Sequence, residues 1–389
     1  MSEIKIVGIV GAGAMGSGIG QVAALAGHTV ILVDAYKDAL NKSKENITRT
    51  LRKQVEKGAF TQQKSDSIAA NISFTEDINS LNNCELIIEA IVENLDVKQK
   101  LFSDLEKIVS DDCILATNTS SLSIVSIASA CEKPGRVIGI HFFNPAQIMP
   151  LVEIIPGLTT NENITIVTKS LIDSWGKKTV LTKDTPGFIV NRIARPFYGE
   201  AIRIYEEGEH SFATIDWAMK TIGGFKMGPF ELMDFIGNDI NYKVTETVFE
   251  QMFYDPRYKP SITQKRLYEA KRFGKKSGIG YYDYAEGAIN PLPVEDYYIG
   301  NLLFARIIAM LINEAAEALF LNIATKEDID LAMTKGVNYP KGLLKWADEL
   351  GIGYILNILE ELHSGYGDDR YRPSVLLRRM HDASKLFYE

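Results

Sequence analysis

The N-terminal half of the chain alternates between short runs of β-branched residues and longer amphipathic stretches. Residues 4–10 (IKIVGIV) are dense in Ile and Val, the pattern of a parallel strand buried on both faces. A helix-like stretch then runs to Ala26, Gly27-His28 closes it, and residues 29–33 form a second strand ending on Asp34. Residues 85–90 (ELIIEA), 113–117 (CILAT) and 136–141 (RVIGIH) repeat the strand pattern. Residues 94–109 read as an amphipathic helix, with Leu95, Leu101, Phe102, Leu105 and Ile108 on one face and Asp, Lys and Glu opposite. Such alternation predicts an α/β doubly wound sheet of the Rossmann type, in which ligands bind beyond the carboxyl ends of the strands.

After residues 185–192 (TPGFIVNR) helical periodicity dominates, and it occurs twice. Glu200-Ala201 recurs as Glu314-Ala315, Ile215-Asp216 as Ile329-Asp330, Gly228 as Gly342, Asp234 as Asp348 and Gly237 as Gly351, all 114 positions apart. The stretch 257–261 (RYKPS) recurs at 370–374 (RYRPS), one residue out of step. The predicted organisation is a nucleotide-binding domain over 1–183, an all-α helical domain over 184–286, a Pro-containing linker over 287–296 and a second helical copy over 297–389. The copies are not equivalent, because the position of Asn191 in the first is Ala305 in the second.

Bulk composition narrows the function. A length of 389 residues with 46% hydrophobic and 24% charged residues is that of a globular chain of two or three domains. The net charge of −8 disfavours nucleic acid or an anionic membrane as a partner. Cys84, Cys113 and Cys131 lack metal or redox spacing and read as reduced, mostly buried thiols; no metal is expected. With neither a charged leader nor an apolar run of transmembrane length, the default compartment is the cytoplasm.

Two constellations carry chemistry. Gly11-Ala12-Gly13-Ala14-Met15-Gly16 stands between the first strand and its helix. Gly11 allows the tight turn, Gly13 lets the backbone approach a pyrophosphate, and Gly16 lets helix and strand pack closely. Asp34, at the end of the second strand, is placed to bind the adenosine ribose hydroxyls and to repel a 2′-phosphate, so NAD is expected over NADP. The second is His141 and Glu153 in GIHFFNPAQIMPLVEII. If both flanking runs are strands, the turn brings imidazole and carboxylate together, and a carboxylate that fixes the tautomer makes the histidine a general base. Glu93, Asn118 and Ser120 also fall beyond strand ends, with helix capping as the competing reading of Glu93 and Asn118. Arg49, Arg52, Lys53 and Lys57 form a basic stretch at helical spacing, either an anion handle or a solvated helix face.

In these motifs the chain resembles the L-3-hydroxyacyl-CoA dehydrogenases, including 3-hydroxybutyryl-CoA dehydrogenases. The likeness rests on GAGAMGSGI, AIVENLDVK, ATNTSSLSI, HFFNPAQIMPLVEII, DTPGFIVNRI, MGPFELMDFIG and GKKSGIGYYDY, in that order. Pro150 departs from the lysine often found before the Leu-Val-Glu run. The resemblance implies NAD-dependent oxidation of an acyl-CoA substrate in fatty acid β-oxidation or short-chain 3-hydroxybutyryl-CoA metabolism. It makes His141 the base and Glu153 its partner. Ser120 would bond the 3-hydroxyl or the histidine, Asn191 the substrate near its thioester and 3-oxygen, and Asn144 would support the site. Glu93, Lys98 and Asn118 would line the ribose and nicotinamide side, while Arg52 and Lys53 are candidates for the CoA phosphates. In one-helical-domain relatives that domain forms the dimer interface, so the second copy suggests a monomer with an internal pseudo-dimer, or else a homodimer. Rival readings are a dehydrogenase of a free hydroxy acid or sugar acid, and a non-catalytic NAD-binding scaffold.

Overall fold

The structure is a computed structural model that describes residues 4–388. It divides into two compact units, Met1–Thr185 and Pro186–Glu389.

The first unit is built on an eight-stranded sheet. Its strands are β1 (Ile6–Val10), β2 (Thr29–Val33), β3 (Ile72–Thr75), β4 (Leu86–Glu89), β5 (Ile114–Thr117), β6 (Val137–Phe142), β7 (Leu151–Pro156) and β8 (Lys178–Leu181). They lie in the order β3-β2-β1-β4-β5-β6-β7-β8. All neighbours are parallel except β6 and β7, which are antiparallel. The helices are α1 (Ala14–Leu25), α2 (Lys37–Glu56), α3 (Gln62–Ala70), α4 (Leu95–Ile108), α5 (Ile124–Ala128) and α6 (Glu162–Ser174). Every residue of β4, β5 and β6 is buried, which explains their unbroken apolar runs. Ile9, Leu32, Ile88, Ile138 and Ile154 sit in the core beside Phe142 and Trp175. Each such side chain contributes about 1.5–3 kcal/mol of apolar burial. The sheet's outermost strands, β3 (ISFT) and β8 (KTVL), are short and partly exposed, with no continuous apolar run to announce them.

The second unit is helical, with α7 (Val190–Ile193), α8 (Arg195–Glu206), α9 (Phe212–Thr221), α10 (Pro229–Ile236), α11 (Asn238–Gln251) and α12 (Ile262–Glu269) in the first copy. The second copy holds α13 (Tyr297–Phe320), α14 (Lys326–Gly336), α15 (Leu343–Leu350), α16 (Ile352–Tyr366) and α17 (Val375–Asp382). Residues 287–296 join the copies without helix or strand. The long α13 packs on α8 and α9 of the first copy and on α15, α16 and α17 of its own.

The repeat is reproduced in detail. Asp216 accepts from the backbone N–H of Phe230 and Glu231 at the start of α10 (both 2.9 Å), and Asp330 from those of Leu344 and Lys345 at the start of α15 (2.9 and 3.0 Å). The copies also exchange partners. Arg192 Nε donates to Glu314 at 2.6 Å and Tyr258 to the same carboxylate at 2.5 Å. Arg306 Nε donates to Glu200 at 2.6 Å and Tyr371 to it at 2.8 Å. Each Arg–Tyr pair thus reaches across to the other copy's glutamate, the reciprocity of a two-fold interface.

Candidate active site

The pairing of β6 with β7 sets His141 opposite Glu153. Their side chains meet, with His141 Nδ1 2.6 Å from Glu153 Oε2. The imidazole is 6% exposed and the carboxylate fully buried. An ionised glutamate has no proton to give, so Nδ1–H is the donor and Nε2 is the nitrogen that exchanges protons in the neutral ring. The Phe143 ring lies against the imidazole at 4.5 Å.

Between the two strands runs the segment that contains Asn144, which is exposed and precedes Pro145 through a cis peptide bond. Lys177, the residue before β8, anchors this segment. Its buried ammonium donates to the carbonyls of Ala146 (2.5 Å) and Met149 (2.8 Å). Burial without a carboxylate partner pulls the Lys177 ammonium below the ordinary lysine range.

Beyond β4 and β5 the polar residues form one network. Glu89, the last residue of β4, is fully buried. It accepts from Lys98 Nζ (2.5 Å), Thr117 Oγ1 (2.7 Å) and the Ile91 N–H (2.7 Å). Lys98 also reaches Glu93 Oε2 at 3.3 Å. Glu93 Oε1 holds the turn after β5, accepting from Thr119 Oγ1 (2.6 Å), the Ser120 N–H (2.9 Å), Ser120 Oγ (3.4 Å) and Ser121 Oγ (3.1 Å). Burial raises the Glu93 carboxyl, but Lys98 and these hydrogen bonds outweigh it and hold the group below its ordinary value. Asn118 accepts from the Phe142 N–H at 2.8 Å, tying the end of β5 to the residue after His141. Glu93 and Asn118 therefore brace loops; the side-chain cap at the start of α4 is Asn94. Glu89, Thr117 and Lys177 are site-building residues that the sequence reading passed over. A carboxylate at the end of an otherwise apolar buried run was the signal for Glu89.

The glycine turn fits a dinucleotide. Gly11 has φ +107°, and a Cβ on Gly16 would stand 1.8 Å from the Gly11 carbonyl oxygen, so neither position accepts a side chain. At Gly13, in contrast, nothing among the described residues lies within 4 Å of a Cβ, and no side chain of theirs caps α1 there. That leaves open space at a helix N-terminus, where a pyrophosphate sits. Asp34 accepts from the N–H of Ala12 (2.7 Å) and of Tyr36 (2.9 Å), which locks the turn to the end of β2.

Arg52 and Lys53 lie on the exposed face of α2, where Arg52 pairs with Glu56 at 3.6 Å. Asn191 lies in α7, and its carbonyl accepts from Arg195 Nε at 2.8 Å. Burial pushes the thiols of Cys84 and Cys113 up to about 12 and that of Cys131 to about 11, which leaves them poor nucleophiles. Among the described residues no cluster of His, Cys, Asp or Glu is arranged for a metal, and no helix is long and apolar enough to cross a membrane.

A sheet of this order with a glycine turn at β1 and a carboxylate-oriented histidine at the end of β6 defines a nucleotide-dependent oxidoreductase. Comparison with known proteins specifies which. Residues 6–185 match the NAD binding domain of 3-hydroxyacyl-CoA dehydrogenase, and residues 187–284 and 303–388 match its C-terminal domain. A 3-hydroxyadipyl-CoA dehydrogenase of Escherichia coli K12 is 36% identical over 97% of this chain and 98% of its own. The human mitochondrial hydroxyacyl-coenzyme A dehydrogenase is 43% identical over 72% of this chain and 91% of its own. The crystal structure of a 3-hydroxybutyryl-CoA dehydrogenase from E. coli K12 superposes with a TM-score of 0.93 at 35% identity, covering 98% of this chain and 99% of that one. The chain belongs to the 3-hydroxyacyl-CoA dehydrogenase family, oxidoreductases that use NAD.

Proposed function

We propose that this protein catalyses the reversible oxidation of an L-3-hydroxyacyl-CoA to the 3-oxoacyl-CoA, with His141 as general acid and base and Glu153 as the group that orients it. The observation that carries the reading is the buried 2.6 Å contact between His141 Nδ1 and Glu153. Oxidation breaks the hydroxyl O–H bond and a C–H bond on the same carbon. The proton goes to His141 Nε2, and Glu153 stabilises the imidazolium that results. NAD, when bound, supplies the acceptor for the hydride. Gly11, Gly13, Gly16 and the start of α1 would hold its pyrophosphate and Asp34 its adenosine ribose. Glu93, Lys98 and Asn118 would line the nicotinamide side, chiefly by fixing the loops that face it. Ser120 and Asn191 would bind the 3-oxygen and thioester end, with Asn144 shaping the wall beside His141. Arg52 and Lys53 are the candidates for the CoA phosphates, being exposed cations on α2.

The relatives are named for 3-hydroxybutyryl-CoA and for 3-hydroxyadipyl-CoA. Both carry a hydroxyl β to a CoA thioester, and that shared group is what the reading takes over. It suits β-oxidation or short-chain 3-hydroxybutyryl-CoA metabolism in the cytoplasm. The reciprocal Arg–Glu exchange supports a self-sufficient chain, whose second helical copy takes the place of a dimer partner. The test is loss of NADH absorbance on mixing the protein with NADH and acetoacetyl-CoA, with NADPH and free acetoacetate in parallel. Rapid loss with NADH and the CoA ester, abolished in His141→Ala, is the expected result. Turnover of the free acid would favour the hydroxy-acid reading instead.

A further inference from the structure

The helical unit buries several arginines, and nearly all face a carboxylate. Arg192 pairs with Glu314, Arg257 with Glu314 and Glu317, Arg306 with Glu200 and Glu207, and Arg370 with Asp368. Arg195 does not. It is 7% exposed and makes no ion pair with Asp or Glu among the described residues. Its Nε donates to the Asn191 carbonyl at 2.8 Å and its Nη1 to Thr245 Oγ1 at 3.1 Å, so neither bond uses Nη2. The guanidinium lies over the Tyr198 ring at 5.1 Å. Burial pulls its proton affinity below the arginine norm, and the neighbours that oppose this, Tyr198 and Tyr339, are phenols that are neutral at neutral pH. The Tyr339 hydroxyl is buried with no hydrogen-bond partner among the described residues. A desolvated charge without a counterion is costly, and the cost falls when an anion arrives.

The second copy shows that packing does not require this cluster. At the positions 114 residues on, Arg195 is replaced by Ala309, Thr245, which accepts from it, by Leu359, and Asn241, whose side chain accepts from Gln264, by Ile355. All three replacements are fully buried. The same helical fold is thus built with an apolar interior where the first copy holds a cation and its supports. Asn191 is lost in the same copy, to Ala305. The cation and the substrate-binding asparagine are present or absent together.

We infer that Arg195, with Tyr339 beside it, is the receptor for a carboxylate at the far end of the acyl chain, so that the preferred substrate is a dicarboxylic 3-hydroxyacyl-CoA. The inference rests on the reading above, which puts Asn191 at the 3-oxygen and thioester end of the substrate. Arg195, the first residue of α8, follows Asn191 of α7 by four residues, and its Nε bond to the Asn191 carbonyl holds the guanidinium beside that asparagine, within the reach of a short acyl chain. Nη2, which neither protein bond uses, offers a carboxylate a charged donor that no methyl terminus can use. The phosphates of CoA are a poorer match, since they lie at the opposite end of the thioester and carry several charges that a site this buried would have to desolvate.

The test compares two CoA esters of one length in the NADH-dependent direction, 3-oxoadipyl-CoA and 3-oxohexanoyl-CoA. They differ only in a terminal carboxylate against a methyl. The unaltered enzyme is expected to favour the carboxylated ester in kcat/KM by at least about tenfold. Arg195→Gln is expected to lower the ratio of the two kcat/KM values by roughly 10²-fold, with Arg195→Lys recovering part of it. An equal fall for both esters in Arg195→Gln, or no preference in the unaltered enzyme, overturns the inference. Should Arg195→Gln fail to bind NADH or to melt cooperatively, inhibition of the unaltered enzyme decides. Adipyl-CoA is expected to compete with acetoacetyl-CoA at least about tenfold more tightly than hexanoyl-CoA, and equal inhibition overturns the inference. Turnover of 3-oxohexanoyl-CoA alone leaves the dehydrogenase reading standing and removes this one, whereas turnover of neither ester by the unaltered enzyme removes both.

Discussion

At the residue scale the site depends on which charges are given partners. Glu153 is fully buried against His141, so its replacement by Gln keeps shape and removes the charge that steadies an imidazolium. Glu153→Gln and His141→Ala should each lower kcat by roughly 10²- to 10⁴-fold while NADH fluorescence on binding is retained. Because oxidation needs the neutral ring and reduction the charged one, initial rates of oxidation should gain as pH rises and those of reduction as pH falls. Opposite slopes, or none, would remove His141 from the proton path. Glu93 makes a second prediction. Its carboxyl is held below its ordinary value of 4.5, so the folded state releases the proton more readily than the unfolded one. The stability this contributes is present above that value and is lost as pH falls through the lower, folded-state pKa. Glu93→Gln should therefore melt below the parent near pH 7, with the gap closing as pH drops under about 4.5. A constant gap across that range would show that the hydrogen bonds matter and the charge does not. The sequence read His141 and Glu153 on two strand-like runs joined by a turn and Glu93 and Asn118 past strand ends, where the structure has them. It did not reveal the bond from Lys98 to Glu89, because a helix residue and a strand residue meet there only once the sheet has formed.

At the scale of elements the hairpin from β6 to β7 does most to build the site. A one-residue slip in its register would turn Glu153 to the opposite face of the sheet, away from the imidazole. What resists such a slip is the dyad itself, since a shifted register would leave the buried Glu153 charge without the imidazole. This pairing was legible in the sequence, with two β-branched runs and a Pro-containing turn between them. β3 and β8 were not, for each is four residues long and at least half its positions reach solvent. β8 nonetheless matters, because Lys177 leads into it and holds the segment between the dyad residues. Lys177→Met would strand two carbonyls and cost about 1–3 kcal/mol. Hydrogen exchange at residues 144–150 should speed up more than elsewhere in the sheet, and kcat should fall with it. Uniform protection in the variant would mean that the segment is held by other contacts.

At the scale of the whole molecule the two helical copies face each other through matched ion pairs. Arg192 and Arg306 stand at equivalent positions, as do Glu200 and Glu314, and each arginine binds the glutamate of the other copy. In a symmetric dimer two chains would supply this reciprocity; here one chain supplies both sides, so that this face is already covered. The repeat was visible in the sequence as a constant spacing, but the crossing of partners was not, because spacing shows what is copied and says nothing of which copy answers it. Light scattering is expected to return the single-chain mass of 43.3 kDa with no dependence on concentration. Glu314→Ala probes the same interface from within. It leaves Arg192 buried without a carboxylate and removes the acceptor of Tyr258. Loss of one member of a buried pair costs roughly 3–5 kcal/mol, far more than loss of the exposed Lys341–Glu349 pair, worth about 0–1 kcal/mol. A urea titration of both variants should show that difference. If Glu314→Ala proves as mild as Glu349→Ala, or if the parent is an obligate dimer at every dilution, the two copies do not form the self-contained interface that their exchanged ion pairs describe.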